Sequence, residues 1–307
     1  MRLMLTSHSN IAITRRTYMW TKYYNKFGDL KQGENFDICL RAMLESKSII
    51  FLQLDEQAIR SEFWNAEPTY PRLFAIMQMQ FASKMGKSRW GDQMGMIESF
   101  ADPIFAAYPR GKIIHMIRDP RERFLDKFPK NNAKHGKFGW ETERWLKSIK
   151  IAQRNMKCFP KNYKVVRYEK FMDNPEKTIR EMCDFIAEPY EPGMITMENA
   201  IRFGDKPIEQ KDSFLKKPPN NIPINNNDVK LLSNYDEAYV QSKASSEMLS
   251  HGYALENVSF SISDRIKYIF FYWPINFAYG LAYIYSGRDT LKFLPKLNIL
   301  APAVGEL

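Results

Sequence analysis

The stretch from residue 97 to residue 186 alternates helical and strand patterns, and this alternation limits the fold more than any other feature of the sequence. Its first half has an amphipathic helical pattern over 97–108, followed by the short apolar run 112–117, which is bounded by turn residues. Its second half repeats this order, with a helical pattern over 140–157 and a short strand pattern, Tyr-Lys-Val-Val-Arg, over 163–167. Short apolar runs of this kind are typical of buried parallel strands. The alternation therefore predicts an α/β fold in which helices cover a parallel sheet.

Outside this stretch the sequence predicts more helices and one long loop. Residues 1–25 have the pattern of a helix followed by a short strand, and residues 70–85 and 229–250 have helical patterns. Residues 204–228 are rich in Pro, Asn and Lys, which predicts a loop.

Charge and cysteine content restrict the partners and the compartment. The chain has 45 lysines and arginines against 35 aspartates and glutamates, a net charge of +10, which favours anionic partners such as phosphates, acidic glycans, nucleic acid or membrane. Its three cysteines form no CxxC or Cys/His cluster, so no metal or disulfide framework is expected. Reduced, buried thiols and an opening segment unlike a secretory signal predict a cytoplasmic protein.

Arg118 is the first candidate for a functional residue. It follows the apolar run 112–117 and precedes a helical pattern, at the place where open parallel sheets bind ligands. A guanidinium there can form a forked contact with a phosphate, and the helix start adds N–H donors. In the alternative interpretation, Arg118 and Asp119 pair with each other or cap the helix.

Two segments resemble a known family. Residues 108–128, YPRGKIIHMIRDPRERFLDKF, resemble the 3′-phosphate-binding strand and helix of sulfotransferases, and residues 163–192 resemble their later strand, Tyr-Glu motif and Pro-started helix. Residues 87–92, KSRWGD, look like the family segment before the helix that precedes the phosphate-binding strand, and residues 251–253, HGY, lie where such domains close. The resemblance covers residues 1–253. It implies a P-loop-NTPase-like fold of three layers, with a parallel sheet between helices.

The predicted domains are a sulfotransferase-like domain over 1–255 and a C-terminal extension over 256–307. The resemblance implies transfer of a sulfuryl group from 3′-phosphoadenosine 5′-phosphosulfate to a hydroxyl or amine, without a metal. Such an in-line displacement depends on positioning and charge stabilisation.

The same resemblance assigns roles to individual residues. Arg118 would bind the 3′-phosphate and Tyr168 would lie near the adenosine. Lys130 would supply a further cation, and Lys216 or Lys217 would close over the nucleotide. The acceptor pocket would be formed by residues around 17–36, 56–72 and 204–228, although the acceptor itself cannot be read from the sequence.

Three departures from the family pattern concern activity. Residues 2–13, RLMLTSHSNIAI, resemble the family's first helix and its exit, so the Arg-Ser-Gly-Thr-Thr-type donor loop and the first, central strand do not occur in this chain. Arg16 stands where a Glu usually serves as base, and a guanidinium cannot be a general base near neutral pH. Asp126 replaces a Ser ligand of the 3′-phosphate, and Gln93 replaces a common Lys. The catalytic residue is therefore unassigned, and two explanations stay open: a start placed too late, or a degenerate homologue.

Residues 268–287 contain no charge and many aromatic side chains. Basic residues flank them on both sides: Arg265, Lys267, Arg288 and Lys292. The segment is long enough to span a bilayer, but Pro274 and Asn276 make it a poor spanning helix. An interfacial membrane helix or a docking helix fits better, and packing on the protein's own core is the alternative.

Two other function classes are weighed against transfer. A non-catalytic binder of an anionic glycan or nucleotide is supported by the basic charge, whereas no RNA-binding or helix-turn-helix signature is present, so nucleic acid is not expected as a partner. A P-loop kinase would need a GxxxxGK[ST] motif, which does not occur.

Overall fold

The computed structural model describes residues 1–127, 136–200 and 232–286, with the side chains of Asp126 and Lys127 outside the description. Contacts divide the chain into two compact units. The first unit contains residues 1–117 and 152–223, and the second contains residues 118–151 and 224–307. The predicted boundary at residue 255 stays a prediction, since the segments on both sides of it belong to the second unit.

Four strands and thirteen α-helices are formed by the described residues. In chain order they are α1 (Arg2–Ser7), β1 (Ile11–Arg15), α2 (Gly33–Leu44), α3 (Glu56–Trp64), α4 (Tyr70–Lys84), β2 (Arg89–Gln93), α5 (Ala101–Ala107), β3 (Ile113–Ile117), α6 (Pro120–Lys127), α7 (Lys137–Cys158), β4 (Tyr163–Arg167), α8 (Tyr168–Asp173), α9 (Pro175–Ile186), α10 (Gly193–Thr196), α11 (Asn234–Ser250), α12 (Ile262–Lys267) and α13 (Trp273–Ser286). Short 3₁₀ turns cover Ile50–Leu52 and Ile97–Phe100, and π-helical turns cover Met19–Tyr23 and Tyr268–Tyr272.

Hydrogen bonds join the strands into two parallel pairs, which confirms the mixed α/β class with short parallel strands. In one pair β1 lies beside β2 with Ile11 opposite Arg89, and in the other β3 lies beside β4 with Ile113 opposite Tyr163. No hydrogen-bonded ladder connects the two pairs among the described residues, so they form two sheets of two strands rather than the single sheet that the sequence predicts. Both pairs lie in the first unit.

Helix starts in the first unit follow local sequence signals. Pro175 occupies the first position of α9, where a missing N–H costs nothing, and the Asn174 side chain accepts a hydrogen bond of 3.0 Å from the Lys177 N–H. At α4 the Thr69 hydroxyl accepts from the Arg72 N–H at 3.3 Å. These caps satisfy amide groups that would otherwise lack an intrahelical acceptor.

Three apolar clusters pack on the strand pairs of the first unit, and the smallest of the three joins Phe105 of α5 to Ile113 of β3 and Tyr163 of β4. The largest cluster combines α2, α3 and α4 with the segment after β1, and its centre contains Trp20 and the stacked rings of Phe36 and Phe63, 4.2 Å apart. The second cluster packs α1, α8, α9 and α10 around Val166 of β4. Burial of such side chains is the main source of stability in a domain of this size.

Several expectations are corrected by the structure. The segment 89–93 is a strand, although Arg-Trp-Gly-Asp-Gln has no apolar run to indicate one. The helix expected over 97–108 begins as a 3₁₀ turn, and only Ala101–Ala107 is α-helical. Cys158 is exposed, whereas Cys39 and Cys183 are buried as expected. The expected loop over 204–228 lies outside the described residues.

In the second unit, α13 packs closely against the start of α7. A Cβ on Gly139 would collide with the Asn276 backbone, and a Cβ on Gly280 would lie 2.9 Å from the Glu143 side chain. The Gly139 N–H, in the first turn of α7, donates to the Asn276 side-chain oxygen at 2.9 Å. Close packing at glycines and this remote cap therefore fix α13 on α7.

Candidate functional site

Arginines mark the carboxyl ends of three of the four strands. Arg15 is the last residue of β1, Arg167 is the last residue of β4, and Arg118 follows β3 directly. The fourth strand, β2, ends at Gln93. Ligands of parallel sheets bind at these ends, and guanidinium groups recognise phosphate and sulfate through paired N–H donors. Each of these three strand ends therefore carries, by itself, a group that can bind an anion.

A half-buried carboxylate joins the ends of β1 and β2. The Thr14 hydroxyl donates to Asp92 Oδ1 at 2.8 Å, and the Thr17 hydroxyl donates to Asp92 Oδ2. Burial raises the pKa of Asp92, while bonds from these hydroxyls and from the N–H groups of Thr17 and Gln93 oppose that rise. Because donors of the protein occupy both of its oxygens, Asp92 fixes the ends of β1 and β2 relative to each other and has no oxygen left for a ligand. We call Asp92 with its donors Thr14 and Thr17 the Asp92 brace.

The same brace holds Arg16 in an uncommon backbone conformation. Arg16 has a φ of 51° and Tyr18 a φ of 57°, both in the left-handed region that disfavours residues with a Cβ. The Arg16 N–H donates to the Gln93 carbonyl at 2.7 Å, and its side chain is exposed. The residue that replaces the expected Glu is thus presented to solvent by a turn that the neighbouring strand fixes.

At the exit of β3, Arg118 pairs with a surface carboxylate. Its Nε and Nη2 each donate to Glu122 Oε2 at 3.2 Å, and the Trp145 ring N–H donates to its carbonyl at 3.0 Å. Asp119 is contacted instead by Arg121, at 2.7 Å between Oδ2 and Nη2. The pairing of Arg118 with Asp119 that the sequence allowed is therefore replaced by two separate pairs.

Arg121 connects the residues that follow β3 to helix α11. It donates to Asp119 and, through Nη1, to Glu237 Oε1 at 3.0 Å, and these hydrogen bonds raise the pKa of its guanidinium. All three side chains are largely buried. Buried ion pairs with complete hydrogen bonding fix geometry. The backbone that carries Arg118 is therefore held by its neighbours, while Arg118 itself contacts the more exposed Glu122.

The other predicted nucleotide residues are described only in part. Tyr168 is the first residue of α8 and packs half-buried against the second apolar cluster. The Asp126 side chain, Lys130, Lys216 and Lys217 lie outside the described residues. Within the residues that the structure describes, no group of three or more His, Cys, Asp or Glu side chains could hold a metal ion.

A cleft of about 400 Å³ lies between residues 23–31 and 67–71. Tyr23, Tyr24, Phe27 and Tyr70 contribute aromatic walls. Polar side chains also line the cleft: Asn25, Asp29, Lys31, Glu67 and Thr69. The structure thus brings together parts of two of the segments expected at an acceptor pocket, 17–36 and 56–72. Acceptor binding there stays a prediction, and the third segment, 204–228, lies outside the described residues.

Sequence reasoning missed the function of Lys87. Its ammonium group donates to the carbonyls of Thr6 at 2.6 Å and His8 at 2.9 Å, at the end of α1, and to Ile11 at 3.1 Å. Burial lowers the pKa of Lys87. A cation at a helix C-terminus satisfies orphan carbonyls and the helix dipole. Lys87 is therefore a structural residue that ties α1 to the start of β1 and β2.

Comparison with known proteins gives a family match for most of the chain. The sequence model of the Sulfotransferase family matches residues 1–192. An uncharacterized protein of Aquifex aeolicus (strain VF5) is 28% identical over 95 residues, which are 29% of this chain and 12% of that protein. The match thus spans about an eighth of the length of this relative.

Two solved structures were also matched. A sulfotransferase domain from the curacin biosynthetic pathway is 18% identical, with a TM-score of 0.46 over 83% of this chain and 93% of that domain. A sulfotransferase domain from the Synechococcus PCC 7002 olefin synthase is 16% identical, with a TM-score of 0.47 over 80% of this chain and 88% of that domain.

Proposed function

The chain belongs to the sulfotransferase family, and on this premise we propose that Arg118 binds the 3′-phosphate of 3′-phosphoadenosine 5′-phosphosulfate as the first step of sulfuryl transfer. The observation that carries the proposal is the position of Arg118, directly after β3 on a backbone braced by Asp119 and Arg121. Its contact with Glu122 is a surface pair four residues along the chain. Such pairs contribute at most about 1 kcal/mol, so a phosphate can replace the carboxylate.

The transfer itself requires more than this anion site. The acceptor oxygen or nitrogen forms a bond to sulfur, the bond from sulfur to the 5′-phosphate oxygen breaks, and 3′-phosphoadenosine 5′-phosphate leaves while a base takes the acceptor proton. Arg16 cannot be that base. The 5′-phosphosulfate of the donor also needs a binding loop, and no Arg-Ser-Gly-Thr-Thr-type sequence occurs among residues 1–307.

The aromatic cleft is the best candidate for the acceptor. It lies beside the segment that follows Arg16, and the Tyr70 hydroxyl donates to the Met19 carbonyl at 2.5 Å, which ties its wall to that segment. Aromatic walls with scattered polar groups suit a small, partly apolar molecule. We therefore propose a hydroxyl- or amine-bearing acceptor with an apolar or aromatic body.

Calorimetric titration of the full chain with 3′-phosphoadenosine 5′-phosphate tests the nucleotide site. Loss of a charge-assisted contact costs about 1.5–3 kcal/mol, so Arg118→Ala should weaken binding about 10- to 100-fold. Arg180→Ala is the matched control, because Arg180 also pairs with a carboxylate four residues away, Glu176, on an exposed helix. Absence of binding by the wild-type chain at millimolar nucleotide, or equal losses in both variants, would refute the assignment.

A non-catalytic nucleotide binder is the second candidate, favoured by Arg16, a guanidinium at the position where the family resemblance expects a general base. It predicts normal binding of the nucleotide product without transfer of radiolabelled sulfate to any acceptor. Translation of the DNA upstream of Met1 in frame gives a separate test. An Arg-Ser-Gly-Thr-like stretch there, followed by transfer activity of the extended chain, would decide for the enzyme.

A further inference from the structure

The outer face of residues 262–286 is exposed and almost entirely apolar. Side chains on this face have exposed fractions between 37% and 84%: Ile262, Ile266, Ile269, Phe270, Phe271, Ile275, Leu281 and Ile284. The α-helical and π-helical turns from Ile262 to Ser286 follow one another without a break. At about 1.5 Å per residue this apolar face is roughly 35 Å long. Soluble domains rarely leave a continuous apolar surface of this size in water.

The inner face of the same helices is firmly attached to the second unit. The Tyr235 and Tyr272 rings stack with centroids 5.4 Å apart, and the Tyr272 hydroxyl donates to Asp236. Asn276 is buried and caps α7. Tyr272 and Asn276 thus occupy positions of these helices that face the second unit. The apolar side chains of the outer face are therefore not needed for that packing.

We propose that this outer face lies on the surface of an anionic membrane. Phe and Ile side chains enter the boundary between headgroups and acyl chains, to a depth of about 5–10 Å in helices of this kind. Arg265 and Lys267 stand at one end of the face, and the sequence continues beyond the other end with Arg288 and Lys292. Each cation near an anionic surface adds about 1 kcal/mol of attraction.

The helix lies on the membrane and does not cross it. Among the described helices, none combines the length and the hydrophobicity that a membrane span needs. A spanning segment would also have to expose Asn276 and separate α13 from α7. The apolar outer face and the docked inner face together fit an interfacial helix, whose two sides meet lipid and protein.

Charge favours lipid over a second copy of the chain as the occupant. Arg265 and Lys267 are exposed at the start of the face, and Asp264 beside them already accepts hydrogen bonds from Ser261 and Tyr235. Two copies paired in parallel through this face would bring Arg265 and Lys267 beside their own equivalents, and like charges brought together disfavour that interface. An anionic membrane instead meets these two cations with opposite charge.

Co-sedimentation of the full chain with vesicles tests the proposal. We expect binding to vesicles of equal parts phosphatidylglycerol and phosphatidylcholine, and much weaker binding to pure phosphatidylcholine. Phe270→Ser with Phe271→Ser should lower the partition coefficient on anionic vesicles about tenfold or more. Arg265→Gln with Lys267→Gln should lower it about fivefold for each cation removed.

The matched control is Ile50→Ser with Leu249→Ser, which removes two apolar side chains of similar exposure, 60% and 57%, elsewhere on the chain. This variant should partition like the wild type. Sedimentation velocity in the absence of lipid separates the other occupants. A dimer that the Phe270 and Phe271 substitutions dissociate would overturn the proposal in favour of self-association. A monomer that binds neither vesicle type would overturn it in favour of a face covered by the chain itself.

Discussion

The exit of the β1–β2 pair and the exit of β3 carry the same residue types but use them differently. At β1–β2, Asp92 receives hydrogen bonds from two threonine hydroxyls and two backbone N–H groups, so its oxygens are occupied by the protein itself. At β3, the carboxylate that contacts Arg118 is Glu122, half of whose side chain is exposed. The carboxylate at the end of β1–β2 therefore stabilises the structure. The arginine after β3 pairs with an exposed carboxylate that an anionic ligand can replace.

This difference separates stability from binding. A buried carboxylate with several donors is costly to remove, because its removal leaves those donors without an acceptor. An exposed ion pair contributes little to folding, because water and salt replace it readily. Substitutions at the two exits should therefore act on different properties, and the four predictions below are ordered by the size of the expected effect.

Asp92→Ala should lower the free energy of unfolding by about 2–4 kcal/mol, since the buried Thr17 hydroxyl loses its acceptor and the Thr14 hydroxyl keeps only the more distant oxygens of Gln78 and Gly91, at 3.1 Å and 3.3 Å. Urea unfolding followed by circular dichroism measures it. Asp102→Ala is the control, because Asp102 pairs with Arg154 on the surface, where the expected loss is at most about 1 kcal/mol. Equal losses at the two positions would show that Asp92 is not a brace.

Thiol labelling can show which side of the first unit opens. Burial raises the pKa of Cys39 to about 12 and that of Cys183 to about 11, so at pH 8 both thiols are protonated and slow to react. Cys158 is exposed and should react first with iodoacetamide. In Asp92→Ala, labelling of Cys39 should accelerate about tenfold or more, since Cys39 lies in the apolar cluster beside β1.

Cys183 serves as the internal control for this experiment, because it lies in the cluster around β4. Its rate should stay near that of the wild type. Mass spectrometry of the labelled peptides gives the rate at each cysteine. Equal acceleration at Cys39 and Cys183 would mean that both clusters open together and that Asp92 does not stabilise the β1 side selectively.

Arg16→Gly should raise the free energy of unfolding by about 0.5–1 kcal/mol, because glycine adopts a φ of 51° without steric cost. Arg15→Gly, within the extended strand β1, should instead lower it by a similar amount. Thermal unfolding of both variants measures the pair. A loss of stability in Arg16→Gly would show that the arginine side chain makes a favourable contact that outweighs the backbone cost.

Glu122→Gln should tighten binding of 3′-phosphoadenosine 5′-phosphate about two- to threefold, since the phosphate then no longer competes with a charged partner of Arg118. Glu176→Gln, which frees Arg180 in the same way, should leave nucleotide affinity unchanged. Calorimetry at fixed salt gives both numbers. Weaker binding in Glu122→Gln would indicate that Glu122 positions the guanidinium for the nucleotide.

The fold could be predicted where local signals were strong. Tyr163, Val165 and Val166 are residue types that favour strands, and they identify β4 with its exact bounds, while Pro175 marks the start of α9 correctly. β2 could not be found in this way, because Arg-Trp-Gly-Asp-Gln is half-buried over its first four residues, exposed at Gln93, and carries no periodic apolar signal. Its strand character depends on pairing with β1, which is about 80 residues away in the sequence.

The candidate site was predictable only at single positions. Arg118 could be identified because a cation directly after an apolar run lies at a strand end by chain connectivity alone. The Asp92 brace needs the parallel register that sets Thr14 opposite Asp92, and no local pattern contains it. Lys87 was noted within a family segment, but its contacts with α1 arise from tertiary packing. Residues that act through distant partners were therefore missed.

The contact between Gly139 and Asn276 has a consequence for the order of folding. The amide in the first turn of α7 finds its acceptor 137 residues later in the chain, so this turn cannot be completed until Asn276 has left the ribosome. Contacts of such long sequence separation form late and slowly. The second unit should therefore be the last part to assemble during synthesis, and a chain released early would leave the start of α7 uncapped.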